Sequence, residues 1–118
     1  MESMMAPSLA LGDSGVELAI GAAGGTRLRI ALVGVAAAVL DEGLDPTEAV
    51  ARPRFHRAGE VVNAEPGVDE DALADVEASG LLVRRWRGPH HYFGGVSLIS
   101  TRGAAGDPRR SGHAATAG

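Results

Sequence analysis

The stretch Glu17 to Gly43, ELAIGAAGGTRLRIALVGVAAAVLDEG, restricts the possible folds of this chain more than any other. It reads as a strand, a double-glycine turn and then a helix almost uncharged along its middle. Gly24 and Gly25 have no Cβ, so their backbone N–H groups can face an anionic atom at close range, and the following helix adds its positive end. Any chemistry in the chain is expected here.

Strand and turn signals continue on both sides. Ser8 to Leu11 and Val16 to Ile20 flank Gly12-Asp13-Ser14-Gly15 and predict a β-hairpin beginning after Pro7. Thr26 is the expected N-cap of a helix running to about Glu42, with Gly43 as its stop. Leu28, Leu32, Val35 and Val39 make one apolar stripe and Ile30, Val33, Ala37 and Leu40 another, which predicts a helix buried between layers.

Asp45-Pro46-Thr47-Glu48 starts a short second helix, with Asp at the cap, Pro at N1 and Glu at N3, and it must end before Pro53. A short strand is expected at Val61 to Ala64, and a helix from Asp69 to about Ser79 with Leu73 and Val76 inward and Gly80 as its stop. Leu81 to Trp86 and Gly94 to Thr101 read as further strands, with Val96 and Leu98 on one face. From Arg102 the chain reads as a tail, with residues 112–118 expected to have little order. The order ββααβαββ suggests an α+β fold, an antiparallel or mixed sheet packed on helices.

Composition narrows the chemistry. The chain has 118 residues, about one domain, and a formal net charge of −4, which gives no support to nucleic-acid binding. All its positive side chains are arginine, and with no cysteine it can form neither disulfides nor thiolate sites. The longest uncharged apolar run, Ile30 to Leu40, falls short of the ~20 residues of a membrane-spanning helix. Met1-Glu2-Ser3 does not open a signal peptide, and localisation stays open.

Several segments in order resemble the C-terminal part of the small subunit of γ-glutamyltransferases (γ-glutamyl transpeptidases). Ala22-Ala23-Gly24-Gly25-Thr26-Arg27 is similar to that family's Pro-Gly-Gly-(Ser/Thr)-Arg segment, with Ala23 in place of the proline. Asp41 to Asp45, Glu48-Ala49-Val50, Ala51 to His56, Glu65-Pro66-Gly67 and Gly106 to Arg110 follow in the family's order. Ser3-Met4-Met5-Ala6-Pro7-Ser8 aligns with its substrate-carboxylate segment, keeping one of two serines as Ser3 and replacing the other with Met4.

The resemblance implies a partial N-terminal-nucleophile hydrolase αββα sandwich over residues 1–111. It implies that Gly24 and Gly25 form an oxyanion hole and that Ser3 contacts the substrate. It also implies a γ-glutamyl amide or peptide substrate, glutathione among the possible ones, with no metal or other cofactor. The attacking threonine would lie upstream, on a partner portion of the same enzyme that includes the large subunit, so this chain alone is expected to be inactive and to self-associate or bind that portion. The alternative is a non-catalytic α+β module that binds an anion or a partner protein.

Each of these residues also has a plainer reading. Gly24-Gly25 can be a tight packing turn or a phosphate-binding turn, although no P-loop spacing accompanies it. Ser3 can lie in a frayed terminus, and Thr26 can serve only as a cap, since no base adjoins it. Arg27 and Arg29 can steer an anion or face solvent. His56, His90 and His91 have no carboxylate at metal-ligand spacing. Asp107-Pro108-Arg109 reads as a turn with a local ion pair, and Trp86 and Phe93 as core.

Overall fold

Alternation along the first two strands generates the platform on which everything else rests. The computed structural model describes residues 6–88 and 90–115, apart from the side chain of Thr26. β1 (Ser8–Gly12) and β2 (Gly15–Ala23) form the expected antiparallel hairpin over Asp13 and Ser14. β2 also pairs antiparallel with β6 (Gly95–Ser100), and β6 with β7 (Gly103–Gly106), giving the sheet order β1-β2-β6-β7. Leu18, Ile20 and Ala22 of β2, Val96 and Leu98 of β6 and Ala105 of β7 all point to one buried face.

That face is covered by α1 (Leu28–Leu40) and α2 (Pro46–Ala51). Leu28, Ala31, Val35, Ala38 and Val39 of α1 join Ala49 and Val50 of α2 in the core. α1 differs from the sequence expectation in three ways. A 3₁₀ turn, Gly25–Arg27, precedes it, its N-cap is Arg27 without a side-chain cap, and it ends at Leu40. Gly43 does turn the chain, at φ 69.

The two apolar stripes of α1 also meet different surroundings. The Leu28, Val35 and Val39 stripe packs on the sheet, whereas Val33 is 66% exposed and Ile30 and Leu40 are exposed beside it. A helix touching a single sheet can bury only one side, and no second layer covers the other among the described residues. The sheet has the same asymmetry. Leu9, Ala19, Ile99 and Ala104 pair across all four strands on the outer face, and Leu9 and Ile99 are each about two-thirds exposed.

α2 has the cap its sequence specifies, with Asp45 accepting from the Thr47 N–H at 3.1 Å. The chain then enters a second, three-stranded sheet, ordered β3-β4-β5. β3 (Phe55–Ala58) and β4 (Val61–Ala64) are antiparallel, while β5 (Leu82–Arg85) runs parallel to β4 after the crossover helix α3 (Glu70–Ala78). Asp69 caps α3 through the Asp71 N–H, Leu73 is buried, and Gly80 follows at φ 100.

Two strands were not visible in the sequence. β3 reads Phe-His-Arg-Ala and β7 Gly-Ala-Ala-Gly, neither with apolar alternation, and both are strands because a neighbour pairs with them. The expected tail from Arg102 therefore contains β7 and a 3₁₀ turn at Pro108–Arg110. No described helix is long and apolar enough to cross a membrane.

Leu18 is 1% exposed in the centre of this core. Leu18→Ala should lower unfolding free energy by about 2–5 kcal/mol, read as a shift of the urea midpoint with an unchanged slope.

Candidate functional site

β2 ends at Ala23, and the chain reverses through two residues that only glycine adopts comfortably. Gly24 has φ 142 and Gly25 φ 58. A Cβ on Gly24 would lie 2.8 Å from Gly94 Cα, so the turn is pressed against backbone from the start of β6. The Arg27 N–H returns to the Gly24 carbonyl at 3.1 Å. Among the described residues, no turn or loop backbone hydrogen bond is donated by the Gly24 or Gly25 N–H. Gly24 is buried and Gly25 exposed. A cleft of about 390 Å³ lies beside the end of β2, lined by Pro7, Ala22, Ala23, Gly95, Asp107 and Arg110 among others; neither Gly24 nor Gly25 lines it. Ser3, expected on the substrate carboxylate, lies outside the described residues.

Arg27, the last residue of the turn, is held in place by an aromatic stack. Its Nε donates to the Tyr92 carbonyl at 2.9 Å and its guanidinium lies 4.5 Å from the Tyr92 ring centre. Tyr92 stacks on Trp86 at 5.0 Å, and the Arg84 guanidinium lies over the Trp86 ring at 4.6 Å. Asn63 ties the two rings together, donating to the Tyr92 hydroxyl and accepting from Trp86 Nε1. Trp86 is thus half-buried and stacked, while Phe93 is core at 2% exposure. Arg29 is exposed.

The deepest polar feature lies behind the turn. Arg54 pairs with Asp107 at 2.7 Å, and Arg109 pairs with Glu65 at 2.7 Å and with Asp107 at 3.1 Å, all with side chains nearly inaccessible. Asp107 also accepts from the Val96 and Arg109 N–H groups. Arg54 donates to the carbonyls of Val50, Phe93 and Gly94, and Glu65 accepts from the Arg54 N–H. Burial pushes the Arg54 pKa down, opposed by Asp107. Burial also opposes charge on Arg109, but Glu65 and Asp107 outweigh it and hold that pKa above the ordinary arginine value.

The local Asp107–Arg109 pair was readable from sequence, whereas the bonds to Arg54 and Glu65 join residues 53 and 44 positions apart. By holding Gly94 from behind, Arg54 braces the backbone on which Gly24 rests.

His56 contacts the Tyr92 ring edge-on, and its Nδ1 is buried without a hydrogen-bond partner. His90 Nδ1 accepts from the Tyr92 N–H and its ring lies against that of His91. Among the described residues, no group of three or more His, Asp or Glu side chains could hold a metal ion.

A two-helix layer on one face of an antiparallel sheet, with a double-glycine turn leading into the covering helix, defines part of the layered α+β architecture of N-terminal-nucleophile hydrolases. The family model described as Gamma-glutamyltranspeptidase matches residues 1–117, and the chain belongs to the γ-glutamyltranspeptidase family. The γ-glutamyltranspeptidase of Pseudomonas nitroreducens, solved with L-DON, superposes with a TM-score of 0.80 at 25% identity, over 100% of this chain and 64% of that one. The T380A mutant of the Helicobacter pylori enzyme gives 0.74 at 27% identity, over 92% and 62%. Bacillus anthracis transpeptidase CapD, at 22% identity and 0.80 over 98% and 72%, shares the fold. The chain thus spans a little under two thirds of the Pseudomonas and Helicobacter chains. No curated protein sequence gives a significant match.

Two measurements test the site's supports. Asp107→Ala leaves the Arg54 and Arg109 guanidiniums buried and undercompensated, and should cost about 3–5 kcal/mol in urea unfolding. His56 has its pKa lowered from 6.5 by burial first and by Arg27 second. As pH falls through 6.5 the unfolded chain therefore takes up a proton that the folded chain refuses, and stability drops until the lowered pKa is passed. His56→Gln should flatten the fall of the thermal midpoint as pH is lowered through 6.5, relative to the parent.

Proposed function

We propose that this chain supplies the oxyanion cradle, and part of the γ-glutamyl pocket, of a γ-glutamyltransferase or γ-glutamyl hydrolase. The observation that carries the reading is the Gly24-Gly25 turn, whose N–H groups are not used by the turn and loop bonds of the described residues and which leads through the 3₁₀ turn Gly25–Arg27 into α1. Donors fixed in this way stabilise negative charge as it grows on a carbonyl oxygen, an effect of about 3–4 kcal/mol for a well-placed donor.

In the reaction this implies, a threonine hydroxyl from another portion of the enzyme attacks the γ-glutamyl amide carbonyl. The tetrahedral oxyanion rests on the Gly24 and Gly25 N–H groups, the amine leaves with a proton, and an acyl-enzyme remains for water or an amino acid to resolve. Ser3 would contact the substrate α-carboxylate. Arg54, through Gly94, keeps the turn in register. The two paired carboxylates of the buried network are fully engaged with arginines and take no part in proton transfer. On this reading the chain is inactive without the nucleophile-bearing portion.

The test is hydrolysis of a chromogenic γ-glutamyl anilide by this chain alone and by the product of its coding sequence joined to the sequence preceding it. Activity is expected only in the joined product. Gly24→Ala, which forces a methyl against Gly94, should lower kcat about 100-fold with little change in KM. Gly25→Ala keeps its N–H and a reachable left-handed conformation, and should cost far less. A folded, correctly processed joined product without γ-glutamyl hydrolysis would leave only the non-catalytic, anion- or partner-binding module.

A further inference from the structure

A cleft of about 650 Å³ runs along the outward stripe of α1. Ile30, Val33 and Gly34 of α1 and Phe55 of β3 give it an apolar lining. Its lining takes in Arg54 to Arg57 in succession and no residue of β4 or β5, so it lies off the free side of β3, the outermost strand of its sheet.

The strand register decides which backbone groups face that side. The Glu65 N–H donates to the Arg54 carbonyl at 2.9 Å, making Arg54 and Glu65 a hydrogen-bonded pair. Such pairs alternate along an antiparallel ladder. His56 with Asn63 and Ala58 with Val61 are therefore the next bonded pairs, and Phe55 and Arg57 occupy the unbonded positions opposite Ala64 and Val62. The N–H and C=O groups of Phe55 and Arg57 consequently point out of the sheet, two residues apart, as an incoming strand requires.

The charge around the cleft has one sign. Arg29, Arg52 and Arg57 line it, and no Asp or Glu does. Glu42 occupies Arg52. Arg57 reaches the Gly59 carbonyl and, at 3.8 Å, Glu60. Arg29 has no hydrogen bond or ion pair among the described residues.

We propose that this cleft receives an extended acidic segment of another polypeptide, added as a strand to the free edge of β3. Backbone bonds to Phe55 and Arg57 supply the affinity. Apolar side chains of the segment cover Ile30 and Val33, and its carboxylates meet Arg29 and Arg57, which selects acidic over basic partners. The proposal does not depend on the catalytic reading.

A fluorescein-labelled heptapeptide of alternating Val and Glu, titrated with the full chain and followed by fluorescence anisotropy, tests it. Saturable binding is expected, at least tenfold weaker when Lys replaces Glu. N-methylation of alternate amides should abolish binding in one register and spare it in the other. Arg29→Glu with Arg57→Glu, both at exposed positions, should leave the circular dichroism unchanged and reverse the preference to the Lys peptide. Three results would overturn the idea: no saturation by the Glu peptide at millimolar concentration, binding indifferent to N-methylation in both registers, or a sedimenting dimer dispersed by Arg29→Glu, which would make the occupant a second copy.

Discussion

The buried ion pairs among Arg54, Glu65, Asp107 and Arg109 connect parts of the chain that no apolar contact alone would hold in register. Arg54 follows α2, Glu65 follows β4, Asp107 follows β7, and the Val96 N–H that Asp107 accepts belongs to β6. Charges removed from water cost several kcal/mol each unless their partners are close and well aligned. Here each guanidinium meets a carboxylate within 2.7 Å and also satisfies backbone carbonyls. An arrangement so demanding specifies one relative placement of the two sheets. The glycine turn inherits its position from that placement, because Arg54 grips the carbonyls of Phe93 and Gly94 next to it.

The apolar surfaces follow a different logic. α1 and the four-stranded sheet bury one side of each against the other and leave Val33, Leu9 and Ile99 open to water. In an αββα sandwich the sheet face turned away from its helices meets a second sheet. The chain covers 64% of the Pseudomonas enzyme chain that it superposes on. The same logic suits the edge of β3 to pairing, since a short strand carrying Arg57 resists indiscriminate stacking while still admitting a complementary segment.

What could be read from sequence was local chemistry. The Asp45 and Asp69 caps, the hairpin over Asp13-Ser14 and the positive φ of Gly43 and Gly80 each depend on a few neighbouring residues, and each was anticipated. β3 and β7 were missed because β3 has Phe55 as its one strand-favouring residue and β7, Gly-Ala-Ala-Gly, has none. Thr26 was misjudged as a helix cap because a 3₁₀ turn intervenes before α1. The double glycine was conspicuous in sequence, but its support was not. Nothing within Asp107-Pro108-Arg109 reveals that Arg54 will arrive from 53 residues away. Ser3, the other expected site residue, lies outside the described residues.

Gly24 and Gly94 touch backbone to backbone. A methyl on Gly24 would lie 2.8 Å from Gly94 Cα, and one on Gly94 would lie 2.9 Å from the Ala23 carbonyl oxygen. Neither position can accept a side chain as compensation for a change at the other, because the two backbones already fill the space between them. Sequence drift in this region is therefore not a matter of paired substitutions. The two sites must stay bare together, and variation in this region has to come from residues around the seam.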